Sequence, residues 1–84
     1  MNDVIIYTGT VCPSCHKSTQ LLNSKGIRTF EINVEDDPEQ MRDLMAKVGQ
    51  RTVPQIFIGM HHIGDFHDMA SLDRGGHLDT LLGR

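Results

Sequence analysis

The chain has no tryptophan, one tyrosine and three phenylalanines, so any core must be built mainly from aliphatic side chains. Apolar residues make up 38% of 84, enough for a modest core and no spare one, and one domain over residues 1–84 is expected. Basic residues are not in excess. The net charge is −3 with both signs interspersed, which argues against a nucleic acid or an anionic membrane surface as partner. No apolar run approaches the roughly 18 residues of a membrane-spanning helix. Met1-Asn2-Asp3 lacks the basic start and long apolar stretch of an export signal, so a reducing cytosol is the expected compartment. Cysteine is scarce too: Cys12 and Cys15 are the only two. In a reducing compartment such a pair is catalytic or metal-binding sooner than a structural staple.

No repeat, low-complexity tract or linker interrupts the chain. Val4-Ile5-Ile6-Tyr7 is apolar without alternation, the pattern of a strand buried on both faces. Pro13 suits the first position of a helix that should run to about Lys25, with Gly26 as its stop. The inward face of that helix, Cys15, Ser18, Leu21 and Leu22, is thinly apolar, so tertiary contacts must hold it. Phe30, Ile32 and Val34 alternate with polar residues and predict a half-exposed strand. Asp37-Pro38-Glu39-Gln40 is a helix start, and Met41, Leu44, Met45 and Val48 form one face before Gly49. Ile56-Phe57-Ile58, a turn at Gly59-Met60 and His61-His62-Ile63 read as a hairpin. Asp65 can cap a last helix, and Leu78, Leu81 and Leu82 give a short closing one after Gly75-Gly76. The order β-α-β-α-β-β-α predicts an α/β fold: a mixed four-stranded sheet flanked by helices, the thioredoxin-like arrangement.

Two sulfurs separated by two residues at a helix start can close a small disulfide ring with little backbone movement. Unpaired amides and the helix dipole at that position favour an anion, so Cys12 should ionise more readily than a free thiol. A Cys-x-x-Cys near a strand–helix–strand pattern reads as a thioredoxin-like redox motif. Cys12 would attack a disulfide, and Cys15, one turn in and more buried, would resolve the intermediate.

The Cys-Pro-x-Cys-His segment, the run Gly49-Gln50-Arg51-Thr52-Val53-Pro54-Gln55-Ile56-Phe57-Ile58, His62-Ile63-Gly64, and Leu72-Asp73-Arg74-Gly75-Gly76 together resemble a bacterial dithiol glutaredoxin. The resemblance covers essentially the whole chain. It implies a glutathione-dependent thiol–disulfide oxidoreductase, reducing protein disulfides and glutathionylated proteins, monomeric and needing no metal. It also implies a cis Val53–Pro54 bond in a loop where Val53's backbone pairs with the bound peptide. On the same basis Ser14, Arg51, Thr52, Val53, Pro54, His67 and Asp68 would contact glutathione. Amides at the helix start after Gly64 would take its α-carboxylate, and Asp68 its α-amino group.

The chain departs from the family pattern in three places. Ser14 stands where many relatives carry Tyr, which opens the site. Gly9 stands where they commonly carry Lys; the loss predicts a less acidic Cys12 unless Arg51 or Lys17 compensates. Asp65 stands where many have Gly. It reads either as an N-cap worth about 1 kcal/mol or as a negative charge beside a site that must accept a carboxylate.

Other readings compete. Cys12-Pro-Ser-Cys15-His16 matches a c-type haem attachment pattern, but that needs export and a helical haem cage. Zinc at Cys12, Cys15, His16 and a further histidine is hampered because neighbouring helix residues point about 100° apart. A glutathione-bridged [2Fe–2S] carrier is the alternative from another class; Pro13 argues against it and Ser14 for it. A thioredoxin-like electron donor to ribonucleotide reductase shares the fold and the Cys pair.

Overall fold

A computed structural model describes residues 3–83. Its elements are β1 (Val4–Thr8), α1 (Pro13–Ser24), β2 (Thr29–Asn33), α2 (Pro38–Val48), β3 (Gln55–Ile58), β4 (His61–Gly64), α3 (Phe66–Arg74) and α4 (His77–Leu82). The strands lie in the order β2-β1-β3-β4. β1 pairs in parallel with β2, through the α1 crossover, and antiparallel with β3; β3 and β4 form the expected hairpin. This is the mixed four-stranded, thioredoxin-like sheet.

β1 explains its own lack of alternation. Val4 and Ile6 face one core with Leu22, Ile27, Ile56, Ile58, Met69, Leu78 and Leu82, beneath α1, α3 and α4. Tyr7 faces the other way, into a smaller core with Val34 and Leu44 under α2. Both faces are covered, so both sets of side chains are apolar.

α1 is held by its surroundings, as its weak pattern requires. Ser18 and Thr19 are buried on it, and their hydroxyls donate to the carbonyls of Ser14 at 2.8 Å and of Cys15 at 3.1 Å. Buried hydroxyls satisfied within the helix cost little. Lys25 follows the last turn and pairs with Asp73 at 2.7 Å and Asp79 at 3.1 Å, tying the end of α1 to α3 and α4. α2 starts as expected, with Asp37 accepting the Gln40 N–H, and ends at Gly49 in the left-handed conformation. Of its apolar face Leu44 is fully buried, whereas Met45 sits at the rim, 37% exposed.

The closing helical stretch, written as one α in the element order, is the two helices that Asp65 and the leucines after Gly75-Gly76 suggest. Gly76 adopts φ +79°, which lets the chain leave α3 and begin α4 at once. No helix among the described residues is long and apolar enough to cross a membrane.

Candidate active site

Three segments meet at one end of the sheet. β1 runs out there at Thr8, beyond the pairing of Tyr7 with Gln55; β3 begins there; and Gly64, which pairs with Ile56, ends β4 there. The loop leading to Cys12, the Thr52-Val53-Pro54 loop and the start of α3 are therefore neighbours. Gly9 shows how close the first two are. A Cβ placed on it would lie 3.3 Å from Val53 Cγ2 and 3.7 Å from Glu35 Oε1.

Cys12 is the N-cap of α1 and Pro13 its first helical residue. Cys12 Sγ accepts the Cys15 N–H at 3.2 Å, so a backbone amide is already aimed at the sulfur. The two cysteines, with Cα atoms 5.2 Å apart, are joined as a disulfide, the oxidised form of the pair. They differ in access: Cys15 is 4% exposed, whereas Cys12 is only half-buried. An incoming sulfur meets Cys12 first. Ser14, between them, is exposed and leaves the approach open.

On the neighbouring loop the Val53–Pro54 peptide is cis. Pro54 is buried, Val53 half-buried, and Thr52 and Arg51 are exposed. Arg51 has no hydrogen-bond or ion-pair partner among the described residues, so its guanidinium is available to an anion. Lys17 is exposed on α1.

At the third segment Asp65 caps α3 in a reciprocal box. Its carboxylate accepts the Asp68 N–H at 3.0 Å, and Asp68 Oδ2 accepts the Asp65 N–H at 3.1 Å. The Asp68 N–H, bonding the charged form, holds the Asp65 carboxyl below the usual carboxylate range; burial works the other way. Gly64 makes room for the box: at φ +112°, a Cβ on it would overlap the Asp68 carboxylate. Asp65 is thus a working cap, and it occupies an amide that a ligand carboxylate could have used. One oxygen of Asp68 is likewise engaged. His67 is exposed, its ring 6.2 Å from that of Phe66.

Two residues at this end were given no role in the sequence reading. Glu35 places its carboxylate beside Gly9. Gln55 is 4% exposed and bonds Thr52 twice. The available signal was a polar residue opening the apolar run Ile56-Phe57-Ile58. A groove of about 450 Å³ lies elsewhere, on the α2 face of the sheet, lined by Tyr7, Lys47, Phe57 and His62 among others, and holds neither cysteine. Among the described residues no group of three or more His, Cys, Asp or Glu is gathered as metal ligands would be.

A sequence model of the glutaredoxin family matches residues 4–63. The chain belongs to the glutaredoxin family. It is 45% identical over 82 residues to the glutaredoxin of Pseudomonas aeruginosa, covering 98% of each chain. It is 42% identical over 82 residues to glutaredoxin 3 of Escherichia coli K12, covering 98% of this chain and 99% of that one. Among solved structures, the Brucella melitensis glutaredoxin superposes with a TM-score of 0.84 at 41% identity, over 100% of this chain and 94% of the other. A buckwheat glutaredoxin–glutathione complex gives 0.85 at 32% identity, over 98% and 77%. A glutaredoxin with a vicinal cysteine pair is a thiol–disulfide oxidoreductase, and this chain is one.

Proposed function

We propose that this glutaredoxin uses glutathione to reduce protein disulfides and glutathione mixed disulfides through Cys12 and Cys15. The observation that carries the reading is the unequal access of two sulfurs within one helical turn: Cys12 reachable at the N-cap, Cys15 buried beneath it. The buckwheat glutaredoxin, alike in fold, was solved with glutathione bound.

The Cys12 thiolate attacks the glutathione sulfur of a mixed disulfide. A Cys12–glutathione disulfide forms, and the substrate thiolate leaves and takes a proton. A second glutathione thiolate attacks the bound glutathione sulfur, forming glutathione disulfide and returning the Cys12 thiolate. With a protein disulfide, Cys12 attacks one sulfur and Cys15 then attacks Cys12 Sγ, releasing the reduced protein and closing the ring seen here. Two glutathiones, giving one electron each, reopen it. Glutaredoxin potentials of about −200 to −230 mV lie near the cytosolic glutathione poise, so the cycle needs no metal or organic cofactor.

Glutathione lies across Ser14, Arg51, Thr52, Val53, Pro54, His67 and Asp68, with Arg51 offered to a carboxylate and the free oxygen of Asp68 to the α-amino group. Asp65 weakens the grip on the α-carboxylate. The protein works as a monomer of one domain over residues 1–84 in the cytosol.

Incubating Cys15→Ser with glutathione disulfide and weighing the intact protein tests the assignment. One glutathione attached at Cys12 is expected, released by a reductant. No adduct, or equal labelling of Cys12→Ser, would refute it.

A further inference from the structure

Gln55 opens β3 and is 4% exposed, yet the chemistry above does not use it. Its amide faces two ways. Nε2 donates to the Thr52 carbonyl at 3.1 Å and to the Thr52 hydroxyl at 3.2 Å. A carbonyl oxygen only accepts, so the NH₂ lies on that side and Oε1 on the other. Oε1 meets His62 Nε2 at 2.8 Å. An amide oxygen also only accepts, so His62 carries a proton on Nε2 and donates it. His62 is itself located by stacking on Phe57, with 4.9 Å between ring centroids.

A line of hydrogen bonds therefore runs from the outer strand β4, through a buried amide, into the residue that precedes Val53-Pro54. Thr52 is exposed, so water could satisfy its oxygens without Gln55. What Gln55 adds is orientation. One amide group bonded to both oxygens of a single residue restrains that residue's backbone and its side chain together. A buried amide also loses more by leaving its partners than an exposed one.

We propose that Gln55 is a positioning residue for the redox site, aiming the Thr52-Val53 backbone at the substrate, and that His62 holds Gln55 in that orientation. The proposal rests on the reading of Thr52, Val53 and Pro54 as the segment against which glutathione lies. Because the contact is made on binding, its loss raises KM and leaves kcat nearly unchanged.

The test compares wild type with Gln55→Met, His62→Phe and His62→Gln, using a glutathionylated peptide as substrate and following amide hydrogen exchange at Val53. Methionine keeps the length of Gln55 without its polar atoms. Phenylalanine keeps the stack on Phe57 without the donor, and glutamine at 62 restores an N–H. Gln55→Met should raise KM roughly fivefold and His62→Phe roughly threefold, both with faster exchange at Val53 and kcat within about twofold. His62→Gln should recover most of the His62→Phe effect. Unchanged KM and Val53 exchange in Gln55→Met, or His62→Gln behaving as His62→Phe does, would overturn the proposal. If Gln55→Met fails to fold, the exposed His62 pair decides the matter. If wild type does not turn over the peptide, the glutathione reading fails, and exchange at Val53 alone decides the positioning claim.

Discussion

Cys12 and Cys15 share a helical turn but not an environment, and that difference divides their work. Replacing Cys12 with Ser should abolish turnover of every disulfide substrate. Cys15→Ser should keep activity on glutathione mixed disulfides and lose it on protein disulfides, as paired assays with the two substrates would show. Asp65 has two effects that separate by substitution. Asp65→Gly removes a negative charge from the start of α3, so KM for a glutathione mixed disulfide should fall roughly two- to fivefold. Stability should drop by only a few tenths of a kcal/mol, since glycine is a tolerable cap. A KM that is unchanged or higher would show that Asp65 does not face the ligand. Asp65→Asn keeps a capping oxygen but cannot titrate. The Asp65 carboxyl is held below its ordinary value near 3.8 by the Asp68 N–H. A depressed acid stabilises the fold above its unfolded pKa and loses that contribution as pH falls through the folded one. Wild type should therefore lose its advantage over Asp65→Asn below about pH 4, in thermal melts run from neutral to acid. A difference that does not vary with pH would contradict this.

At the scale of elements, α2 depends on few contacts. Leu44 is its one fully buried side chain, closing the smaller core with Tyr7 and Val34. Leu44→Ala should cost about 2–5 kcal/mol in a denaturant titration, the range for emptying a packed leucine site. A loss below about 1 kcal/mol would mean that Met41 and Val48 anchor the helix instead. Most helix boundaries were legible in the sequence because their causes are local: Pro13 at a first turn, Asp37 with Gln40, Gly26 and Gly49 as stops. The links between elements were not. Lys25 reaches residues 48 and 54 positions away, and nothing in the local pattern marks Asp73 or Asp79 as its partners. The hairpin register slips between Ile56 and Phe57: His61 and His62 pair with Ile58 and Phe57 as counted from the turn, but Ile56 pairs with Gly64, where a regular ladder would place Ile63. Asp65 was legible as a cap. Its reciprocal bond to Asp68 was not, because Asp68 had a competing reading as a ligand contact.

At the scale of the molecule, the thioredoxin-like sheet gathers the ends of β1, β3 and β4 so that two loops and a helix start converge near the half-buried Cys12. The cis Val53–Pro54 bond was expected only through the resemblance to glutaredoxins, since no local pattern selects it, and it stands in that converging region. Composition set the limits, with little aromatic mass, no excess of basic residues and a modest apolar fraction; that the core is divided between the two faces of the sheet is seen only in the structure. The central claim is that glutathione, and not another reductant, drives Cys12. The most direct test is steady-state reduction of a glutathionylated peptide, coupled through glutathione reductase to NADPH oxidation, beside protein-disulfide reduction with thioredoxin reductase supplying the electrons. The account predicts turnover in the first assay that survives Cys15→Ser, disappears in Cys12→Ser, and has no counterpart in the second. Turnover only with thioredoxin reductase would contradict it and make the chain a thioredoxin-like donor.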